Sequence, residues 1–378
     1  MDTSTNHSLL CNYTSLINST VTNCTNETES GRKLNANMQL SVGAKVSMYI
    51  CFGLIFLLGT TGNTIVIYIV GIKHKIVRNF DLHIISLSLA DLLASISLPI
   101  LTIHDLLTNL EAWHLGIMGC KILPPMNHVT ILVSAFMLVI ISISRLRVIA
   151  STKTIRQSKT RSLIEIGGAW LLALCIVSPF AYKHTYVLKY DICYDAWHTT
   201  DGFLDRLRRL IYYSVYEGFG CFIPMIIMGI VYTKSVIILN NRQVPGNNKT
   251  LEVKRKKQNK RIIKMFGTIV FVFLALTTPY MINVIIVVYY QAYRMKKYLE
   301  NTEFFFNLNY GLFTLSAFNS CINPFIYARM HHSMKKSFNK HVSTIWKTTK
   351  KSVSEISVTS KSQMRGRTFT NITVTDDE

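Results

Sequence analysis

Residues 122–144 read ILPPMNHVTILVSAFMLVIISIS, a run of 23 residues without one Asp, Glu, Lys or Arg. As a helix this run rises about 34 Å, at about 1.5 Å per residue, which crosses the roughly 30 Å hydrocarbon core of a bilayer. The run is apolar on every side and too long for a barrel strand, which shows about ten residues of alternating polarity. An amide in lipid must be satisfied within its own segment or a closed barrel, and here that leaves a helix. One such run also fits a buried core helix in a soluble protein. Its neighbours in the chain decide the matter.

Six more runs flank it. Val46–Ile72, Ile166–Tyr182, Met265–Tyr293 and Phe304–Ala328 hold no charged residue of those four kinds. Leu82–His104 holds only Asp91, and Leu210–Thr233 only Glu217. Seven runs predict an all-α membrane protein: a seven-transmembrane helix bundle over 46–328. A tail over 1–45 precedes it. A short amphipathic helix over 329–342, basic and lying on the membrane surface, follows. A Ser- and Thr-rich tail over 343–378 is expected to be disordered. The composition agrees, with 49% apolar and 16% charged residues against roughly 25% charged in soluble domains. A net charge of +21 first suggests nucleic acid. The basic residues sit between apolar runs that no soluble fold needs, so nucleic acid is excluded as a partner.

Orientation follows from the positive-inside rule. With the N-terminus outside, 29 of the 41 basic residues fall on the inner side, and the inner face carries +22 against zero outside. Asn6, Asn12, Asn18, Asn23 and Asn26 each open an Asn-x-Ser/Thr triplet, which marks a glycosylated tail that enters the secretory lumen. Residues 1–30 hold no apolar core of the signal-peptide kind, so the first span is expected to act as its own insertion signal.

Ionisable side chains inside a bilayer are costly and face the bundle interior. Asp91 sits mid-span, with Asn63 on span 1, Ser134 on span 3 and Asn319, Ser320 and Asn323 on span 7. It serves either as a hydrogen-bonded tie between helices or as an ion site. A carboxylate ringed by neutral oxygen donors suits sodium, the one ion expected; no other cofactor or metal is. Pro224, Pro279 and Pro324 lie inside spans 5, 6 and 7. Each removes an intrahelical hydrogen bond, as a hinge or as a static bend.

In order along the chain stand Gly62-Asn63, Leu87-Ser-Leu-Ala-Asp91-Leu-Leu93, Trp113-His-Leu-Gly116 with Cys120, Trp170 with Pro179, Pro224 with Tyr232, and Asn319-Ser-Cys-Ile-Asn323-Pro-Phe-Ile-Tyr327. This series resembles the rhodopsin-like G-protein-coupled receptors over roughly Val46–Phe338. The resemblance implies a receptor, not an enzyme, with heterotrimeric G proteins as partners and a location in the plasma membrane. It assigns Arg145, Tyr232 and Tyr327 to an inner switch, and it pairs Cys120 with Cys193. Cys51, Cys175, Cys221 and Cys321 lie in apolar runs and are expected to stay reduced, which leaves Cys11 and Cys24 over, either paired with each other or not.

Cys193-Tyr-Asp195-Ala-Trp197 resembles a Cys-x-Glu-x-Trp pattern of neuropeptide receptors, and Thr185–Tyr190 is rich in strand-forming residues, consistent with a hairpin lid or with a loop of incidental aromatics. Asn127 stands where amine receptors carry an acid, and Ala317 where opsins carry a lysine. By the same alignment Asn127, Glu217 and Tyr280 face the pocket. An unpaired Glu217 favours a peptide ligand with an Arg or amidated basic end; a nearby Tyr or His would cancel that preference. The rival ligands are a lipid or small molecule, and a transporter would show internal repeats that are absent here. The basic run Lys254–Lys257 with Lys260 and Arg261 serves as a positive anchor or touches anionic lipid or the G protein. Phosphorylation of the tail by a receptor kinase would build a charge cluster for arrestin.

The chain departs from the family at several positions, among them Ala135, where a larger aliphatic residue usually packs against Pro224 and Phe273. Thr277 replaces the usual tryptophan of span 6. Ser144-Arg145-Leu146 replaces Asp-Arg-Tyr, so the arginine lacks its acidic neighbour, and Asn259 offers no substitute. A coupling of about 1–3 kcal/mol changes an equilibrium roughly 5–150-fold. Raised ligand-free signalling is therefore expected, and Ser144→Asp should lower it. Equal basal G-protein activation by the two receptors would refute this.

Overall fold

The computed structural model describes residues 41–73, 79–108, 112–151, 158–187, 191–195, 202–241, 249–293 and 302–330. The five sequons, Cys11, Cys24, Trp197 and nearly all of the expected surface helix lie outside them. The chain divides into two compact units, Met1–Ile326 and Tyr327–Glu378. The first is the helical bundle. The described part of the second is the end of the last helix.

Helix α1 spans Val42–Ile67 and begins where the Ser41 hydroxyl accepts from the Ala44 N–H at 3.2 Å, the usual work of an N-cap serine. It runs on through a wider π-helical turn at Tyr68–Lys73. Then come α2 (Asn79–Leu107), α3 (Gly116–Ala150) and α4 (Lys159–Lys183). Strands β1 (His184–Val187) and β2 (Ile192–Asp195) form an antiparallel hairpin. Span 5 is α5 (Gly202–Glu217), a π-turn at Gly218–Phe222, and α6 (Ile223–Asn241). Span 6 is α7 (Lys249–Tyr293), which begins well before its apolar run, so the basic stretch over 254–261 is helical. Six of these helical stretches are long and apolar enough to cross a membrane. The seventh run is divided at Phe318 into α8 (Thr302–Ala317) and α9 (Asn319–Met330), of 16 and 12 residues. Together they complete a multi-pass, seven-span helical bundle.

The prolines explain some of the irregularity. Pro224 follows directly on the π-turn, where the Ile223 N–H reaches back five residues to the Gly218 carbonyl. A proline breaks the regular ladder, and a π-bulge is one way a helix absorbs the break. Pro279 and Pro324 lie inside α7 and α9, and Pro124 and Pro125 stand together early in α3.

Lipid tails are as apolar as leucine, so the hydrophobic effect does little to hold helices together in a membrane; close packing and hydrogen bonds do that work. The bundle shows both. Large apolar side chains such as Leu57, Leu171, Leu174 and Phe271 point outward. Inside, the Asn63 amide on α1 donates to the Ser320 carbonyl on α9 at 2.8 Å. The Trp170 indole on α4 donates to Ser86 on α2 at 3.0 Å. Gly59 on α1 lies so close to Ser95 on α2 that a Cβ there would collide with both side-chain atoms of the serine, and a Cβ on Gly62 would sit 3.0 Å from Pro324.

Gly53, on the same helix, has open space where a Cβ would go. Gly59→Ala should therefore lower stability by about 1–3 kcal/mol through overpacking, while Gly53→Ala should leave it equal or higher. Melting temperatures of the two purified variants in detergent check this. Similar behaviour of both variants would contradict the close approach of α1 and α2.

Candidate functional site

At one end of the bundle the hairpin is fastened to the start of α3. Cys120, five residues into that helix, forms a disulfide with Cys193 on β2, with the Cα atoms 5.7 Å apart. Cys51, Cys175, Cys221 and Cys321 are free. In the ladder Tyr186 stands opposite Cys193 and His184 opposite Asp195. Two hydrogen bonds add to the disulfide: the Lys121 ammonium donates to the His184 carbonyl, and the Trp113 N–H donates to the Asp191 carbonyl at 2.6 Å. Asp191 takes a left-handed conformation at φ 49°, which aspartate tolerates better than most residues. Its carboxylate accepts from the Tyr186 hydroxyl at 2.6 Å and so raises the phenol pKa above its ordinary value.

Deeper along the bundle, Glu217 closes α5. It is 1% exposed, and its Oε2 has no hydrogen-bond partner among the described residues. Tyr212, Tyr216, Tyr280 and Cys221 lie within its electrostatic reach. No hydrogen bond joins any of them to Oε2. Tyr216 gives its hydroxyl to the His128 carbonyl at 3.3 Å, and the Tyr280 ring packs on Phe313 at 5.4 Å. A buried carboxylate without partners is unfavourable by several kcal/mol in an apolar setting. Asn127 is occupied: its side-chain oxygen accepts from the Ser97 hydroxyl, which joins α3 to α2.

Two features of this region escape a reading of the sequence. The His128 ring lies between Phe180 at 4.3 Å and Tyr216 at 4.9 Å, and the Asn283 amide donates to Asn309 at 2.8 Å. His128 adjoins Asn127 inside a charge-free run, which is a usable signal. The pair Asn283–Asn309 leaves none, since it depends on how α7 and α8 align.

At mid-depth the dispersed polar residues of spans 2, 3 and 7 converge. Asp91 is 2% exposed. It accepts from the Ser134 hydroxyl at 3.1 Å and from the Asn323 amide at 2.7 Å. Asn319 is half-buried, and no hydrogen bond joins it to Asp91. Among the described residues no cation pairs with Asp91; beside its carboxylate stand the Ser134 hydroxyl oxygen and the amide nitrogen of Asn323. Two residues before Pro279 of α7, Thr277 is buried with its hydroxyl unpartnered among the described residues.

At the far end the Arg145 guanidinium lies over the Phe266 ring, 5.5 Å from its centre. Tyr232, on α6, packs its ring where Gly267 of α7 has no side chain; a Cβ there would come within 2.5 Å of the ring. Tyr327 opens the second compact unit. Asp195 is placed only as the last residue of β2.

The family described as 7 transmembrane receptor (rhodopsin family) matches residues 62–327. The rat pyroglutamylated RF-amide peptide receptor is 27% identical over 81% of this chain and 72% of its own length. The mouse neuropeptides B/W receptor type 1 is 27% identical over 79% of this chain and 87% of its own. The crystal structure of squid rhodopsin superposes with a TM-score of 0.65 at 19% identity, over 81% of this chain and 87% of that one, a likeness of fold.

Asp91 is the junction whose loss is simplest to read. Asp91→Ala leaves two buried donors unanswered and should cost about 1–3 kcal/mol. In Asp91→Asn the amide can accept from Asn323 and donate to Ser134, so the loss should be smaller. Thermal unfolding of the three proteins measures both. An Asp91→Ala protein as stable as the wild type would exclude the three-span tie.

Proposed function

The chain belongs to the rhodopsin family of seven-transmembrane receptors, and from that premise we propose that it binds an extracellular neuropeptide with a basic end and activates heterotrimeric G proteins. In this reading it lies in the plasma membrane with its glycosylated N-terminus outside. The observation that carries the ligand class is Glu217, buried and with its Oε2 unpartnered among the described residues. A guanidinium or ammonium group brought to it makes a charge-assisted hydrogen bond that the empty receptor lacks. Two relatives take their names from peptide ligands. The tethered hairpin supports the reading as well, because it offers a fixed edge at the mouth where Asp195 and Trp197 would meet an extended peptide. In this reading Tyr280 and Asn127 would line the ligand's route to Glu217.

Signal transfer then needs no covalent chemistry. A ligand that favours one arrangement of the bundle shifts the population toward it. Pro224, Pro279 and Pro324 are the hinges. The contact between Tyr232 and Gly267 is where α6 and α7 separate, and it frees Arg145 and Tyr327 for the G protein. Asp91, Ser134 and Asn323 would hold sodium, whose charge neutralises the buried carboxylate. An ion favouring the resting form and an agonist favouring the other weaken each other by the same factor. The basic helical run over 254–261 meets the G protein or anionic lipid, and the Ser- and Thr-rich tail is the substrate of a receptor kinase and the docking segment for arrestin.

The test is a neuropeptide screen on cells that express the chain, read as G-protein activation, followed by Glu217→Gln. Losing a charge-assisted bond of about 1.5–3 kcal/mol should weaken the potency of the active peptide roughly 10–150-fold. The same peptide with its basic residue made neutral should respond equally at both receptors. A Glu217→Gln receptor with unchanged potency overturns the assignment.

A further inference from the structure

Arg145 lacks an acidic neighbour in the chain, yet an acid from another helix reaches its surroundings. Glu165, one turn and a half into α4, shares its carboxylate among partners that include His83, Arg147 and Arg161. Its Oε2 meets the His83 imidazole of α2 at 3.1 Å. Its Oε1 meets the Arg147 guanidinium of α3 at 3.4 Å and Arg161, one turn back on α4, at 3.0 Å. One side chain therefore joins α2, α3 and α4 at the end of the bundle that holds Arg145.

The setting makes this more than a surface ion pair. Exposed pairs contribute little because water screens them and holding two long side chains has an entropic cost. Here the His83 side chain is 0% exposed and that of Glu165 only 19%, although the arginines reach solvent at 45% and 54%. Arg147 stands two residues beyond Arg145 on the same helix, and His83 lies within electrostatic reach of Arg145. A restraint on Arg147 and His83 acts on the backbone and on the field around Arg145 together.

We propose that Glu165 is a positioning residue for signalling, an electrostatic clamp that holds the Arg145 end of α3 to α2 and α4 in the ligand-free receptor. It does not touch ligand or G protein. It acts through Arg147 and His83, by resisting the movement of α3 that presents Arg145. The clamp rests on the receptor reading above, and its test separates the two.

The experiment uses the full-length receptor purified in detergent micelles, as wild type, Glu165→Gln, Arg147→Gln, the double variant and Glu165→Asp. Two quantities are read: amide hydrogen exchange over residues 145–151, and ligand-free nucleotide exchange on added G protein per folded receptor. In Glu165→Gln, exchange over 145–151 should rise and basal activation should rise about two- to fivefold. Glu165→Asp should recover part of both. The double variant should show no more than the larger single effect, since both substitutions remove one interaction. Unchanged hydrogen exchange, unchanged basal activation, or additive effects of the two substitutions would each overturn the clamp. Exchange that rises while no G protein responds to any of the five receptors, with or without peptide, overturns the receptor reading itself.

Discussion

Helices surrounded by lipid gain almost nothing from hiding leucines against one another, and that constraint governs the whole bundle. Cohesion falls to the few polar groups inside and to places where backbones approach closely. The Asp91 carboxylate is the central case. Ser134 and Asn323 bring the hydrogen bonds of two other helices to it, so spans 2, 3 and 7 meet on one side chain. Asn63 adds span 1 through the Ser320 carbonyl, and Trp170 adds span 4 through Ser86. Small residues act where hydrogen bonds do not, as Gly59 does against Ser95 and Gly62 against Pro324.

The two acids buried within the spans differ in their surroundings. Asp91 has its neighbours' donors and holds the fold together. Oε2 of Glu217 has no hydrogen-bond partner among the described residues; Tyr216 gives its hydroxyl to the His128 carbonyl and the Tyr280 ring packs on Phe313. A bundle does not keep an unanswered carboxylate for stability, because a neutral side chain of the same size would serve better. In the function proposed above, a ligand answers it instead. The disulfide and the hydrogen bonds from Lys121 and Trp113 fix that hairpin to α3, so the mouth is shaped before any ligand arrives.

At the other end the chain solves an electrostatic problem by an unusual route. With Ser144 beside Arg145, restraint of the arginine's helix passes to Glu165 on α4, which reaches it through Arg147 and His83. A partner two residues away holds a helix less tightly than an adjacent one. The absence of an acid at position 144 and the presence of Glu165 therefore act in opposite directions on the resting state.

Much of this was legible in the residues alone. Seven long apolar runs, five of them without a charge and two with one acid each, determine seven spans, because runs of that length and uniform polarity satisfy their amides in lipid only as helices. The order of Asn63, Asp91, Arg145, Pro224 and Asn323 along those runs determines the family. Local sequence also carried the hairpin, through the strand-forming residues before Cys193. The rest lay beyond it. The break of span 7 at Phe318, the π-turn before Pro224 and the pairing of Asn283 with Asn309 depend on how neighbouring helices are rotated and shifted. So do the isolation of Glu217 and the reach of Glu165 across to His83, 82 positions earlier in the chain. A sequence states which polar groups must find partners in a membrane, since desolvation sets that demand residue by residue. Only the packed bundle decides which partner each one finds, because rotating a helix by a few tens of degrees exchanges every neighbour its side chains can reach.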